Sequence, residues 1–173
     1  IHARILNRLR HTLTRDQLAA VADIGRDMAR ERPMNRLLQG DVGSGKTLVA
    51  QYAMLLCAAY GHQAALMAPT EVLARQHADN LQLSLASSRV RIALLTGSMS
   101  RSERKAVIEN AAAGEVDLLV GTQALLSTDV QFRDLGLVIV DEQHKFGVVQ
   151  RAKLRTESQQ PHYLVLSATP IPR

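Results

Sequence analysis

The chain has 173 residues, of which 46% are hydrophobic, enough to build the core of one domain. Its 21 Lys and Arg residues outnumber 16 Asp and Glu residues, and the net charge of +5 favours an anionic partner without identifying it. The single cysteine, Cys57, excludes an intrachain disulfide or zinc framework, and its apolar neighbours indicate a core position. The apolar stretches are too short to span a bilayer and no signal segment opens the chain, so we expect no membrane partner and a cytoplasmic location.

The two ends of the chain suggest a piece of a longer protein. The first residue is Ile1 rather than Met, and Arg173 directly follows a Pro-Ile-Pro run. We therefore expect residues 1–12 to be a helical linker from a missing N-terminal region and residues 13–173 to form one domain.

Caps and apolar periodicity predict the helices in chain order. A weak helical pattern lies within residues 2–10, and Thr14 with Gln17 forms a capping box that opens a second helix. That helix runs to about Arg30, and Pro33 follows it. Later helices are predicted from Leu48 to Tyr60, from the N-cap Thr70 to about Ala86, and from the capping box at Ser100 to about Ala113.

Six apolar runs between these helices predict strands, at 36–39, 63–68, 90–95, 117–120, 135–140 and 162–166. The alternation predicts an α/β fold, a mostly parallel sheet with helices on both faces. Parallel strands end at one edge of the sheet, where ligands of open α/β sheets bind. We therefore expect the segments that follow the strands to meet on one surface; they begin at Gly40, Pro69, Thr96, Gly121, Asp141 and Ser167.

The segment Gly40-Asp41-Val42-Gly43-Ser44-Gly45-Lys46-Thr47 fits the phosphate-binding pattern G-x-x-x-x-G-K-[ST] at every fixed position. Its glycines allow a tight turn that directs backbone N–H groups inward, and the following helix presents its positive end to an anion. Lys46 is expected to reach the β- and γ-phosphates of ATP, and Thr47 to place its hydroxyl on Mg²⁺. The sequence therefore predicts a nucleotide site.

Two carboxylates, Asp141 and Glu142, follow the apolar strand 135–140. Asp141 is assigned to Mg²⁺, and Glu142, one residue further out, to the general base that polarises the attacking water. An acidic turn after a strand is common by itself, so the assignment depends on Lys46 and Thr47 lying at the same sheet edge.

Arg75 and His77 lie on the helix that follows Thr70, and we interpret both as part of a solvated helix face.

Four segments resemble a known family: Gly40–Thr47, Ala68–His77, Asp141–Val148 and Ser167–Arg173. Together with Gly121-Thr122 they look like the first RecA-like motor lobe of a superfamily-two helicase. From about Leu13 onward they resemble more narrowly the RecG family of bacterial ATP-dependent DNA helicases. The competing family is that of the transcription-repair coupling translocases. Its members usually have Asp-Glu-Glu-His at the position where this chain has Asp-Glu-Gln-His, the DEQH box, so Gln143 favours the RecG family.

The resemblance implies roles for residues outside the phosphate loop. Gln17 matches the glutamine that reads the adenine edge, although His11 stands where the family often has an aromatic residue. The positions that couple ATP to motion are Gln143, His144, Ser167, Ala168 and Thr169. The positions that hold the DNA backbone are Pro69, Thr70, Thr96, Gly97, Gly121 and Thr122, and hydroxyls with loop N–H groups suit phosphate contacts.

The resemblance also implies the partners of the full protein. It would be a monomeric motor that hydrolyses ATP with Mg²⁺, branch-migrates Holliday junctions and regresses stalled replication forks on duplex DNA. A second motor lobe would supply arginines to the γ-phosphate, and a wedge domain would split the junction. Without them we expect the isolated chain to fold but to be nearly inactive.

Two other classes of function remain open. A P-loop ATPase or kinase acting on a small molecule would need a substrate pocket or lid, and the sequence shows no such insertion. A non-catalytic nucleotide-dependent interaction module is disfavoured by the intact residues Lys46, Thr47, Asp141 and Glu142. Turnover that is stimulated by branched DNA would separate the helicase from both.

Overall fold

The structure, a computed structural model, describes residues 1–9, 11–141 and 160–168. Within them, six strands form one parallel sheet in the order β1-β6-β5-β2-β4-β3. The strands are β1 (Asn35–Gln39), β2 (Gln63–Met67), β3 (Ile92–Leu95), β4 (Leu118–Gly121), β5 (Leu135–Asp141) and β6 (His162–Ser167). The helices are α1 (His2–Leu6), α2 (Arg15–Met28), α3 (Lys46–Ala59), α4 (Glu71–Ser84) and α5 (Arg101–Ala113), with a 3₁₀ helix at Gln123–Leu126. The predicted α/β fold is confirmed.

The register aligns the carboxyl ends of all six strands along one edge. Gln39 of β1 pairs with Ser167 of β6, and Leu166 pairs with Asp141 of β5. On the other side, Gly121 of β4 lies between Met67 of β2 and Leu95 of β3. We call the ends of β1, β6 and β5 the phosphate-loop half of this edge, and the ends of β2, β4 and β3 the threonine half.

Each face of the sheet carries its own hydrophobic core. Alternating side chains of the central strands point to opposite faces, as the period of a strand requires. One face packs against α1 to α4, and the other against α5 and the 3₁₀ helix. Cys57 is buried in the first core, as predicted.

The hydrophobic core includes residues N-terminal to the predicted domain boundary at residue 13. Ile5 and Leu9 are buried in the same cluster as α3, and Nδ1 of His2 lies 2.7 Å from the hydroxyl of Tyr52. The helical pattern predicted within residues 2–10 is confirmed. The role of residues 1–12 as a linker stays a prediction, but their apolar side chains belong to this core.

The predicted caps determine where three helices begin. Thr14 accepts a hydrogen bond from Gln17 N, and Ser100 accepts one from Glu103 N, each in a reciprocal capping box. Thr70 accepts from Leu73 N at the start of α4.

None of the helices in the described part of the chain is both long and apolar enough to cross a bilayer.

Candidate nucleotide site and adjoining strand ends

The phosphate loop connects β1 directly to α3. Gly43 and Gly45 have φ values of +81° and +79°, a region that L side chains rarely adopt. A Cβ on Gly45 would also lie 2.2 Å from Nε2 of Gln17. Because these glycines turn the backbone into the first turn of α3, the helix N-terminus and the loop N–H groups can serve one anion.

Lys46 has its side chain at the loop itself. Its Nζ donates to the carbonyl oxygen of Gly40 at 2.6 Å and to that of Asp41 at 2.8 Å. The ammonium therefore lies at the loop and not in the core, while its contact with the β- and γ-phosphates stays a prediction. When a nucleotide binds, these carbonyl bonds can be exchanged for charge-assisted bonds to phosphate oxygens, which are stronger.

Gln17 connects α2 to the phosphate loop. Its Oε1 accepts from Thr14 N at 2.8 Å, and its Nε2 donates to the carbonyl oxygen of Ser44 at 2.8 Å. One end of the amide thus caps α2, and the other supports the phosphate loop. The contact of Gln17 with the adenine edge stays a prediction.

Strand β6 lies between the phosphate loop and β5. The carbonyl oxygen of Ser167 accepts from Gly40 N at 3.2 Å, and Ser167 is buried. Two of the predicted coupling residues, Ser167 and Ala168, therefore stand directly beside the loop. The other three, Gln143, His144 and Thr169, lie outside the described residues.

Asp141 ends β5, and its Oδ2 lies 2.8 Å from Nε2 of His77 on α4. The two side chains are 17% and 11% exposed, so the pair is largely buried. The interpretation of His77 as part of a solvated face is therefore wrong, while Arg75 is exposed as expected. Glu142, the predicted general base, lies outside the described residues.

Helical periodicity could have placed His77 correctly. It lies three residues after the buried Ala74 and four before the buried Leu81, so all three share one face of α4. That face packs towards the sheet, whereas Arg75 points to solvent.

The residues present fit a Mg²⁺ ion held mainly through the nucleotide. Thr47 is exposed in the first turn of α3 and lines a small cavity together with His77 and Leu166, the register partner of Asp141. The described residues contain no cluster of three His, Cys, Asp or Glu side chains that would hold a metal alone. Mg²⁺ in proteins is commonly bound by one or two side chains plus substrate phosphates and water, which suits Thr47 and Asp141.

In the threonine half, two hydroxyls lie at accessible helix starts. Thr70 is exposed and caps α4, and Thr122 is half-buried and accepts from Ala124 N at 3.4 Å. In both, the oxygen accepts from the backbone, so the hydroxyl hydrogen can be donated to a phosphate oxygen. Pro69 is half-buried and Gly97 is exposed, which places both at the surface.

Two predicted DNA contacts are contradicted by their burial. Thr96 has no exposed surface, and its hydroxyl lies 3.4 Å from the Ser98 hydroxyl. Gly121 is buried inside the sheet, where a Cβ would lie 2.3 Å from the carbonyl oxygen of Leu95. Neither residue therefore offers surface that a DNA backbone could contact. Thr96 and Gly121 support the sheet edge and do not form its surface.

Glu71 connects the loops after β2 and β3. Its carboxylate accepts from Ser98 N at 3.0 Å and from the Ser98 hydroxyl at 2.5 Å. These bonds lower the pKa of Glu71, so the carboxylate stays ionised and the tether persists at neutral pH. The start of α4 and the loop at Gly97 therefore form one unit.

A cleft of about 660 Å³ lies at the opposite, amino-terminal edge of the sheet. It is lined by residues of α2 and α3, of the segment before β2 and of the starts of β5 and β6, among them Cys57, His62 and His162. Burial raises the pKa of the Cys57 thiol to about 12, so this sulfur is not a nucleophile at neutral pH. This cleft is thus separate from the phosphate loop. We take the phosphate loop as the functional site.

Relatives of known function match nearly the whole chain. It is 51% identical over 170 residues to the ATP-dependent DNA helicase RecG of Bacillus subtilis and 50% identical over 168 residues to that of Treponema pallidum. These alignments cover 98% and 93% of the chain but 25% and 24% of the relatives. The chain spans about a quarter of the length of the curated relatives it matches.

Solved structures agree with this similarity. A RecG structure bound to a three-way DNA junction superposes with a TM-score of 0.87 at 44% identity, over 98% of this chain and 23% of that one. The helicase MrfA superposes with a TM-score of 0.69 at 17% identity, which shows the shared fold alone. Residues 14–173 match the DEAD/DEAH box helicase family. The chain, with its phosphate loop and Asp141 at one edge of a parallel sheet, therefore belongs to the DEAD/DEAH box helicase family.

Proposed function

We propose that the chain is the ATP-binding motor lobe of a RecG-type DNA helicase. In the full-length protein it would use ATP hydrolysis to drive branch migration of Holliday junctions and regression of stalled replication forks. The observation that carries this proposal is the single sheet edge on which the phosphate loop, Asp141 and the exposed Thr70 lie together. The similarity to RecG, which has been solved with a three-way DNA junction, supports branched DNA as the partner.

The residues of the phosphate-loop half have separate tasks. The loop N–H groups and Lys46 bind the phosphates, and Thr47 and Asp141 would hold Mg²⁺ next to them. Bound there, the ion would neutralise charge between the β- and γ-phosphates. Glu142 is proposed to orient the water and accept its proton, because it directly follows Asp141.

The threonine half is proposed to hold DNA by its phosphates. Thr70, Gly97 and Thr122 can offer hydroxyl and backbone donors, and such contacts carry no sequence information. Branched DNA would therefore be recognised by shape rather than by base sequence. Binding should weaken as the salt concentration rises, because phosphate contacts release counterions.

The test is ATP turnover by the full-length protein with and without a three-way DNA junction. Wild type should be stimulated by the junction, and Glu142→Gln should keep nucleotide binding but lose hydrolysis, since the amide keeps the shape and loses the basicity. Normal turnover by Glu142→Gln would place the base elsewhere. An ATPase indifferent to DNA would favour a small-molecule P-loop enzyme, and no turnover at all would favour an interaction module.

The same assay examines whether the site is completed from outside this chain. An arginine supplied in trans can contribute a factor of about 10³–10⁵ to phosphoryl transfer, so residues 1–173 alone should show only trace activity. Equal, DNA-stimulated turnover by this chain and by the full-length protein would contradict a second lobe that acts in catalysis.

A further inference from the structure

The contact between His77 and Asp141 joins the two halves of the sheet edge. Asp141 ends β5 in the phosphate-loop half, whereas α4 follows β2 in the threonine half. Strands β2 and β5 are neighbours, with Met67 paired to Val140. The 2.8 Å contact therefore crosses the boundary between the halves.

Helix α4 carries this contact to the DNA-facing loops. His77 is seven residues after Thr70, which corresponds to about 10 Å along a helix. Thr70 caps the helix, and Glu71 in its first turn holds the Ser98 loop through two hydrogen bonds. A shift of these loops on DNA would thus be passed along a rigid helix to the imidazole.

A movement of the His77 imidazole would affect Asp141, because the two side chains are hydrogen-bonded. An ionised carboxylate only accepts hydrogen bonds, so Nε2 of His77 carries the hydrogen and occupies one oxygen of Asp141. Groups that hydrogen-bond a metal-binding carboxylate orient it, and their loss typically lowers metal affinity or activity about 10- to 100-fold. The imidazole thus contacts one proposed Mg²⁺-binding group, Asp141, and lines the same small cavity as the other, Thr47.

We propose that His77 is a positioning residue that orients Asp141 for Mg²⁺ and couples DNA contact at the start of α4 to ATP hydrolysis. The proposal rests on the proposed function, because it takes Asp141 as the Mg²⁺ carboxylate and Thr70 as a DNA contact. A structural tie between α4 and β5 is the simpler alternative, and the experiment is chosen to separate the two.

The variants are His77→Leu, which removes the donor, and His77→Gln, which keeps an amide donor. Ser84→Ala is the matched control, because it removes a different tie of α4, the 2.8 Å bond from Nε2 of Gln51 to the Ser84 hydroxyl. If His77→Leu does not fold, His77→Asn takes its place, since its shorter amide cannot reach as far. All variants are made in the full-length protein.

Two quantities are measured: the affinity of Mn²⁺ for the protein–ADP complex by electron paramagnetic resonance, and the ratio of ATPase rates with and without a three-way junction. His77→Leu should weaken Mn²⁺ binding about 10- to 100-fold and lower the junction-stimulated rate more than the basal rate. His77→Gln should recover most of both quantities. Ser84→Ala should lower only the melting temperature.

The proposal fails if wild type is stimulated by the junction while His77→Leu shows the wild-type Mn²⁺ affinity and stimulation ratio. It also fails if Ser84→Ala reproduces the loss, because any tie of α4 would then suffice. If wild type itself shows no junction-stimulated turnover, the proposed function and the coupling fail together. In that case, a normal Mn²⁺ affinity in His77→Leu would also refute the orienting role.

Discussion

The two halves of the sheet edge are built by different physical means. In the phosphate-loop half, left-handed glycines bring N–H groups to the surface, and Lys46 lies at the loop rather than in the core. In the threonine half, helix caps and the Glu71–Ser98 tether organise the loops, and Thr96 and Gly121 are buried beneath them. A backbone that surrounds a small anion needs conformational freedom, whereas the surface proposed to hold DNA needs rigid support. Similar turn residues after strands therefore do not imply similar exposure.

The largest expected effect is in the phosphate-loop half. Lys46→Ala should lower ATP turnover of the full-length protein by at least about 10²-fold, as is typical when a charge-stabilising donor is removed. The melting temperature should stay near that of wild type, because the ammonium contacts the loop and not the core. Lys105→Ala is the matched control, since Lys105 is exposed on α5. Wild-type turnover in Lys46→Ala would remove the nucleotide site from this loop.

Gly121→Ala tests the buried support of the threonine half. The added Cβ would meet the carbonyl oxygen of Leu95 at 2.3 Å, and backbone in a sheet cannot easily move away. The free energy of unfolding should fall by about 1–3 kcal/mol or more, as in other overpacked cores. Chemical denaturation measures this loss. Gly97→Ala is the control, because a Cβ there would lie 3.5 Å from the nearest atom, Oε1 of Glu71, which is an ordinary contact distance. An equal loss of stability in Gly97→Ala would contradict the conclusion that Gly121 is buried support and Gly97 is surface.

Thr70→Val tests the exposed surface of the same half. Loss of the hydroxyl should weaken binding of a three-way junction about 3- to 10-fold, which corresponds to roughly 0.6–1.4 kcal/mol, the usual net contribution of one hydrogen bond. Loss of the cap should also lower stability by about 1 kcal/mol. Binding is measured by fluorescence anisotropy at constant salt. Thr70→Ser should bind normally, and Thr96→Val should not weaken binding, since Thr96 is buried.

The smallest effect is expected at the opposite edge, which serves as a reference for both halves. Burial, with a smaller contribution from the charge of His62, lowers the pKa of His162, while Nδ1 of His162 accepts from Met34 N at 2.8 Å. The unfolded chain then binds a proton more readily than the folded one, so stability falls as the pH drops below about 6.5. The loss should level off below the pKa of the folded state.

Denaturation of wild type and His162→Asn between pH 7.5 and 5 measures this slope. The slope should be shallower in His162→Asn, and the control His11→Asn, at an exposed site, should retain the wild-type slope. Identical slopes in wild type and His162→Asn would assign the pH dependence to other groups.

Local signals were sufficient for much of the fold. Thr14, Thr70 and Ser100 were predicted as caps, and each one starts a helix in the structure. Capping depends on residues three positions apart, and strand patterns depend on alternation, so both can be read without knowing the tertiary contacts. The alternation of strands and helices was in turn enough to predict the parallel sheet.

Burial at the strand ends could not be predicted in the same way. The sequence presents Thr96 and Gly121 as turn residues after strands, just as it presents Thr70. The burial of Gly121 depends on neighbouring strands, because β4 lies between β2 and β3 and its last residue is enclosed by both. Strand order is a long-range property that the local sequence does not contain.

The sequence by itself determined the phosphate loop, the helix starts and the α/β class, because each depends on residues close together in the chain. The tertiary structure alone decided which strand ends are accessible and that His77 contacts Asp141, 64 residues away. That contact requires β2 and β5 to be neighbours, because α4 follows β2 and Asp141 ends β5. The physical reason is chain connectivity: periodicity places His77 on the buried face of its helix, but only packing selects the carboxylate it meets.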